Sequence, residues 1–140
     1  MIKEIVTDLE ALAKPAVPAT AEDEQIGQDL LDTMASREDG CVCLAANQIG
    51  SDKAIIAYED EDEQRHVMFN PRIKQATQPF KATENCLSIS KESTVTRFNV
   101  IKVSFEELED GKLVRKEKRF TEWVAECIQH AIDHTKGRLV

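Results

Sequence analysis

Gln129-His130-Ala131-Ile132-Asp133-His134, near the C-terminus, decides how this chain reads. Two histidines four apart share one helical face, and in the HExxH pattern they hold a metal while the Glu between them moves protons. Both histidines are present here, but the Glu position holds Ala131. The stretch speaks for metal binding and leaves catalysis open. A helix is predicted from about residue 121 to residue 136, stopped by Gly137. Plotted at about 100° per residue, Phe120, Trp123, Val124, Cys127, Ala131 and His134 share one apolar arc, with His130 at its edge beside Trp123. The imidazoles thus lie on or next to the buried face, where an unpaired one is costly. Either they are hydrogen-bonded core histidines or they are ligands, and a third ligand would tip the balance. Cys86, within Glu84-Asn85-Cys86-Leu87-Ser88, is the candidate. Two imidazoles and one thiolate leave a fourth tetrahedral position open, as expected of a catalytic rather than a closed structural site.

Upstream, residues 2–13 are predicted as a short amphipathic helix ended by Pro15 and Pro18. Thr20 with Asp23 makes a capping-box start for a helix reaching about Arg37, with Ile26, Leu30, Leu31 and Met34 as its apolar stripe. Residues 40–50 show neither helical nor strand periodicity. Strands are predicted at 53–58 and 65–70, separated by the acidic run Glu59-Asp60-Glu61-Asp62-Glu63, read as a solvated turn. Pro71 permits only an edge or strand-end position. Residues 84–90 and 94–98 are short extended candidates. Residues 99–105 alternate, and Asp110-Gly111 signals a hairpin before residues 112–119. The expected fold is α+β, in one domain over residues 1–140. Antiparallel strands pack around a central C-terminal helix that carries the histidines, and an N-terminal helix packs outside.

Composition narrows the function classes. The chain has 140 residues, 41% hydrophobic and 31% charged, with net charge −8, ordinary for a soluble globular protein. That charge argues against nucleic-acid or anionic-membrane binding, both of which need clustered Lys and Arg. No apolar run approaches the roughly 18 residues of a membrane span. The N-terminus carries acids in its apolar stretch and no cleavage-site pattern, so a cytoplasmic address is expected. Cys41, Cys43, Cys86 and Cys127 then favour thiol or metal chemistry over a disulfide framework. Cys127 is expected in the core.

Three separated segments together resemble the peptide deformylase family, whose members remove the N-terminal formyl group from nascent bacterial proteins. Its GxGLAAxQ motif is echoed by Cys41-Val42-Cys43-Leu44-Ala45-Ala46-Asn47-Gln48, its EGCLS by Glu84 to Ser88, and its QHExDH by Gln129 to His134. Met68-Phe69-Asn70-Pro71 matches a further family habit. The resemblance implies Cys86, His130 and His134 as ligands of one divalent ion, iron(II) in the cell and often zinc or nickel in preparations. It implies Gln48 and the Leu87 backbone N–H as donors to the formyl oxygen, stabilising the charge that develops on it. Asp133 would orient a ligand imidazole or accept from a nearby backbone donor; a solvated charge on the polar helix face is the alternative. Formylated N-terminal peptides are the implied partners.

The departures carry equal weight. Ala131 replaces the family's proton-transferring Glu. Alanine is the best helix former, so helix and ligands should survive while the proton shuttle is lost. Acid–base groups typically contribute roughly 10²–10⁴-fold, and no other carboxylate is recognisably placed to substitute. Cys41 and Cys43 replace glycines that permit close approach to a bound peptide. With Val42, Leu44 and Asn85 they are the expected substrate groove. The two thiols either pack as small soft side chains or join the metal, or pair with Cys86 under oxidation. Asn85 replaces a third glycine and tolerates positive φ better than most residues. Two functions therefore compete: a weakened deformylase-type hydrolase, and a non-catalytic relative that binds metal and N-terminal peptides.

Overall fold

The computed structural model describes residues 1–37 and 40–140. Five strands form one antiparallel sheet in the order of the chain: β1 (Cys43–Ala45), β2 (Ile55–Glu59), β3 (Arg65–Glu84), β4 (Ser93–Glu109) and β5 (Lys112–Thr121). Three helices accompany them, α1 (Leu9–Leu12), α2 (Glu24–Ser36) and α3 (Glu122–Thr135). The α+β class with a C-terminal helix against antiparallel strands is as expected.

Strand period 2 sorts the β1–β2 side chains onto two faces. Ala45, Ile56 and Tyr58 join Val124, Ala125, Ile128, Ala131 and Ile132 of α3 in one apolar cluster. Leu44, Ile55 and Ala57 join Leu30 and Met34 of α2 in a second. β2 is thus buried on both faces, which is why it reads as an apolar run. Helix α2 starts where the capping box places it: a 3₁₀ turn over Ala21–Asp23 precedes it, with Thr20 and Asp23 bonding each other's backbone across the turn. Gly27 lets α2 sit close to β3, since a Cβ there would lie 3.1 Å from Val67 Cγ1.

Several boundaries differ from expectation. Residues 2–8 are not helical: Lys3 N–H bonds Thr33 Oγ1 (2.9 Å) and Val6 N–H bonds the Gln48 carbonyl (2.7 Å), and these tertiary bonds replace a helical ladder too short to stand alone. Pro71 does not end a strand. β3 runs through it, with a register irregularity between Phe69 and Arg72 and with Asn70 at φ 52°; such a bulge is where a sheet tolerates proline. The predicted pieces 94–98 and 99–105 merge into β4, paired along much of its length with both β3 and β5. Residues 85–90 form a loop rather than a strand. Asp110 (φ 50°) and Gly111 (φ 78°) turn β4 into β5 as a tight hairpin turn with two positive φ values demands.

α3 is buried more widely than a single stripe. Every residue from Ile128 to His134 is buried, including both histidines, whereas Trp123, placed on the apolar arc, is 43% exposed. Sheet, 3₁₀ turn and loop enclose the helix on several sides, so one-stripe amphipathicity understates its burial. Gln129 pins it to β4, accepting from Phe98 N–H (3.0 Å) and donating to the Phe98 carbonyl (2.8 Å).

Candidate metal centre

α3 presents His130 and His134 one turn apart, and the loop after β3 brings Cys86 to them. His134 Nε2 lies 3.2 Å from His130 Nε2 and 3.2 Å from Cys86 Sγ. Nitrogens about 2.05 Å from a tetrahedral ion stand about 3.3 Å apart. The three ligand atoms all lie within 4.8 Å of one another, so one small divalent ion fits between them. His130 Nδ1 sits 2.8 Å from Glu84 Oε1, which leaves Nε2 for the ion. His134 is 0% exposed, and its Nδ1 has no hydrogen-bond partner among the described residues.

Charge is concentrated behind the ligands. The Glu84 carboxylate accepts from Arg97 Nε (2.9 Å) and Arg97 Nη2 (2.7 Å). Arg97 Nη1 reaches on to Asp133 Oδ2 (2.6 Å), and Arg138 Nη1 donates to Asp133 Oδ1 (3.0 Å). Burial pushes Glu84 up, but bonds from His130 and Arg97 outweigh it and leave the acid at about 2. Burial likewise pushes the Cys86 thiol up, yet His130 and His134 bring it down to about 5. Desolvation lowers His130, while Cys86 and Glu84 raise it to about 9. Cys86 is thereby inclined to the thiolate form that a metal requires, and an ion held by these three residues would compete with a proton for the imidazole.

Gln48 lies in a 3₁₀ turn, Ala46–Ile49, directly after β1. Its Oε1 accepts from Ala45 N–H (2.9 Å), which aims Nε2 at Cys86 Sγ (3.3 Å) and Ser88 Oγ (3.2 Å). Neighbouring Asn47 donates to the His134 carbonyl (2.8 Å), tying this turn to α3. A cavity of about 470 Å³ opens beside the ligands, with Cys41, Val42, Cys43, Asn85, Leu87 and Cys127 among its walls.

Not every expected residue stands where the sequence put it. Leu44 is 0% exposed in the α2 cluster and does not line the cavity, because it alternates with Cys43 and Ala45. Asn85 is exposed and is not among the residues with positive φ, so left-handed tolerance is not needed there. Asp133 is neither solvated nor the partner of an imidazole: Glu84 holds His130, and Asp133 reaches it only through Arg97. Cys127 is not a core residue. It lines the cavity and is only partly buried. Ala131 is 1% exposed inside the apolar cluster, and α3 runs through it unbroken.

Arg97, the hub of the charge network, was missed by sequence reasoning. Its only sequence signal is a charge at a buried position of an alternating strand, and parity is invisible until the register is known. Glu126 was missed as well. It lines the cavity, where burial first and the neighbouring Glu84 next raise it to about 7.

A sequence model of the polypeptide deformylase family matches residues 2–140. A peptide deformylase of Clostridium beijerinckii is 33% identical over 140 residues, covering 100% of both chains. One from Buchnera aphidicola subsp. Acyrthosiphon pisum is 32% identical, over 94% of this chain and 75% of its own. Among solved structures, a peptide deformylase from Legionella pneumophila superposes with TM-score 0.85 at 29% identity, over 99% of this chain and 83% of that one. A Met-Ala-Ser-bound deformylase from Acinetobacter baumannii superposes with TM-score 0.86 at 24% identity, over 99% and 97%. With fold, ligand cluster and full-length match in agreement, this chain belongs to the polypeptide deformylase family.

Proposed function

We propose that this protein is a deformylase-type metalloprotein that binds formylated peptide N-termini and hydrolyses them slowly. Cys86, His130 and His134 would hold one divalent ion, iron(II) by family and zinc or nickel as substitutes. When bound, the ion supplies Lewis acidity to the formyl group and to water. Gln48, its amide oriented by Ala45 N–H, would donate to the formyl oxygen with Leu87 N–H beside it. The peptide would lie in the cavity walled by Cys41, Val42, Cys43 and Asn85.

Ala131 carries this reading. Its methyl group, buried in the apolar cluster, neither accepts nor returns a proton. Glu84, a carboxylate beside the ligands, is engaged by Arg97 and His130, so it is a poor substitute. The expected loss is roughly 10²–10⁴-fold in rate.

The test is turnover of a formyl-methionyl peptide by protein loaded anaerobically with iron or nickel, against the Ala131→Glu variant. At least about a 10²-fold gain is expected. Equal rates in two folded, metal-loaded proteins would refute the missing-shuttle account. A second reading, a non-catalytic binder of N-terminal peptides, is favoured by the two thiol side chains that occupy family glycine positions in the cavity wall. Peptide binding without turnover in either protein would establish it.

A further inference from the structure

Charge is unevenly spread around the ligand cavity. Its walls include two carboxylates, Glu84 and Glu126, and no lysine or arginine. Glu84 is fully engaged: Oε2 accepts from Arg97 Nε at 2.9 Å, while Oε1 accepts from Arg97 Nη2 at 2.7 Å and stands 2.8 Å from His130 Nδ1. Glu126 is partly buried, and none of the ion pairs among the described residues includes it; those nearby join Arg97 and His130 to Glu84, and Arg97 to Asp133. Glu126 also lines a second hollow, shared with Phe80, Glu122 and Trp123, whose walls again hold no lysine or arginine. Glu122 and Glu126 stand one turn apart on α3 and so share a face, and Trp123 beside them is 43% exposed.

A partly buried carboxylate without a cation beside it is costly, and a ligand that brings the cation offsets that cost. The spacing fits such a ligand. Glu126 lies four residues before His130, about 6 Å along the helix axis, a span that the four-carbon stem of a lysine covers. A peptide whose formyl group stands at the ligand cluster therefore brings the ammonium of a lysine at its first position within reach of Glu126. Val42, Cys43 and Cys127, in the same wall, suit the aliphatic stem. A longer or forked cation extends towards Trp123, whose ring face attracts it.

We propose that Glu126 is a specificity-determining residue, and that the formylated peptides this protein takes carry a cationic first side chain, lysine or arginine, rather than an apolar one. The inference rests on the reading of the cavity as the peptide site and names the substrate class for it. Glu126 touches no reacting atom; it selects by charge. A cationic side chain donates to the carboxylate, an apolar one of the same length leaves the acid desolvated and unpaired, and an acidic one adds repulsion. A hydrogen bond between charged groups in a partly buried site is enough for at least about tenfold discrimination.

The test compares formyl-lysyl-alanyl-serine with formyl-norleucyl-alanyl-serine, which differ by one ammonium group. Calorimetry on the full-length, zinc-loaded protein at pH 8 measures both affinities; at that pH Glu126, raised to about 7 by burial and Glu84, is ionised. The lysyl peptide should bind at least about tenfold more tightly. Glu126→Gln should bring the ratio to about one, and Glu126→Lys should reverse the preference, taking formyl-glutamyl-alanyl-serine over the lysyl peptide. A reversal of that kind does not arise from a misfolded protein, and the native comparison decides the matter even where a variant fails to fold. Equal or tighter binding of the norleucyl peptide by the native protein, or a lysyl preference that survives in both variants, would overturn the inference and leave the cavity a peptide site. Binding of no formyl peptide by the zinc-loaded native protein would overturn the peptide-site reading, and the inference with it.

Discussion

Glu84→Gln is the sharpest probe of the charge network behind the metal centre. The native carboxylate accepts from Arg97 Nε, Arg97 Nη2 and His130 Nδ1, at 2.9, 2.7 and 2.8 Å. Glutamine keeps the shape but has one acceptor oxygen, so its amide hydrogens meet Arg97 or His130 donors head-on. Breaking a buried ion pair by removing one partner costs about 3–5 kcal/mol. Arg97 keeps Asp133 at 2.6 Å, which places the expectation near the lower end, about 3 kcal/mol. Losing the group that orients a ligand imidazole should also weaken metal binding by about 10–100-fold. The pH dependence follows from the sign of the shift. Glu84 is held at about 2, below its ordinary 4.5, so its stabilisation is present above pH 4.5 and is lost as the pH falls toward 2. The gap between native protein and variant should therefore be full at pH 7 and close across that acid window. Urea unfolding from pH 7 to pH 2.5 measures it, with competition against a chromophoric chelator for the metal. A loss below about 1 kcal/mol at pH 7 with unchanged metal affinity would refute the claim that this network is a buried, interdependent unit.

Three other expectations are independent of that one. Cys86→Ser should lose most bound zinc at equal total metal; equal retention, measured by elemental analysis, would remove Cys86 from the ligand set. Gly137→Ala should be costly in thermal unfolding, since Gly137 lies at φ 78° and a Cβ would clash with the Ala13 carbonyl. The left-handed backbone contributes about 1–2 kcal/mol and the clash about 1–3 kcal/mol, so a variant as stable as the native chain would contradict that packing. Glu126, raised to about 7, holds its proton more tightly folded than unfolded, so its stabilisation falls as pH rises from 4.5 to about 7. Glu126→Gln escapes that fall, and its stability relative to native protein should improve between pH 5 and pH 8. A constant difference in urea unfolding would show that Glu126 does not titrate in this range.

Much of the architecture was legible in local pattern. The capping box at Thr20, the Asp110-Gly111 hairpin, the Gly137 stop and the helix between them each depend on a few neighbouring residues and on backbone rules. The long strands were harder to read. Pro71 looked like an end and became a bulge, because only pairing with β4 shows that the ladder resumes at Arg72. The helix at residues 2–13 shrank to Leu9–Leu12 because Thr33 and Gln48 offer better bonds to its backbone.

The candidate site divides along the same line. His130 and His134 were readable because a helix fixes the geometry of residues four apart, and Cys86 was readable through its motif. Which acid holds His130 and which cation meets Asp133 depend on contacts between residues 46 and 36 positions apart. Spacing along the chain carries no direction for a side chain once strands pair and a helix docks. Sequence alone thus determined the donor set and the absence of a carboxylate at Ala131. Tertiary structure decided the environment of those donors, by bringing Glu84, Arg97 and Asp133 into one buried chain of charges behind them.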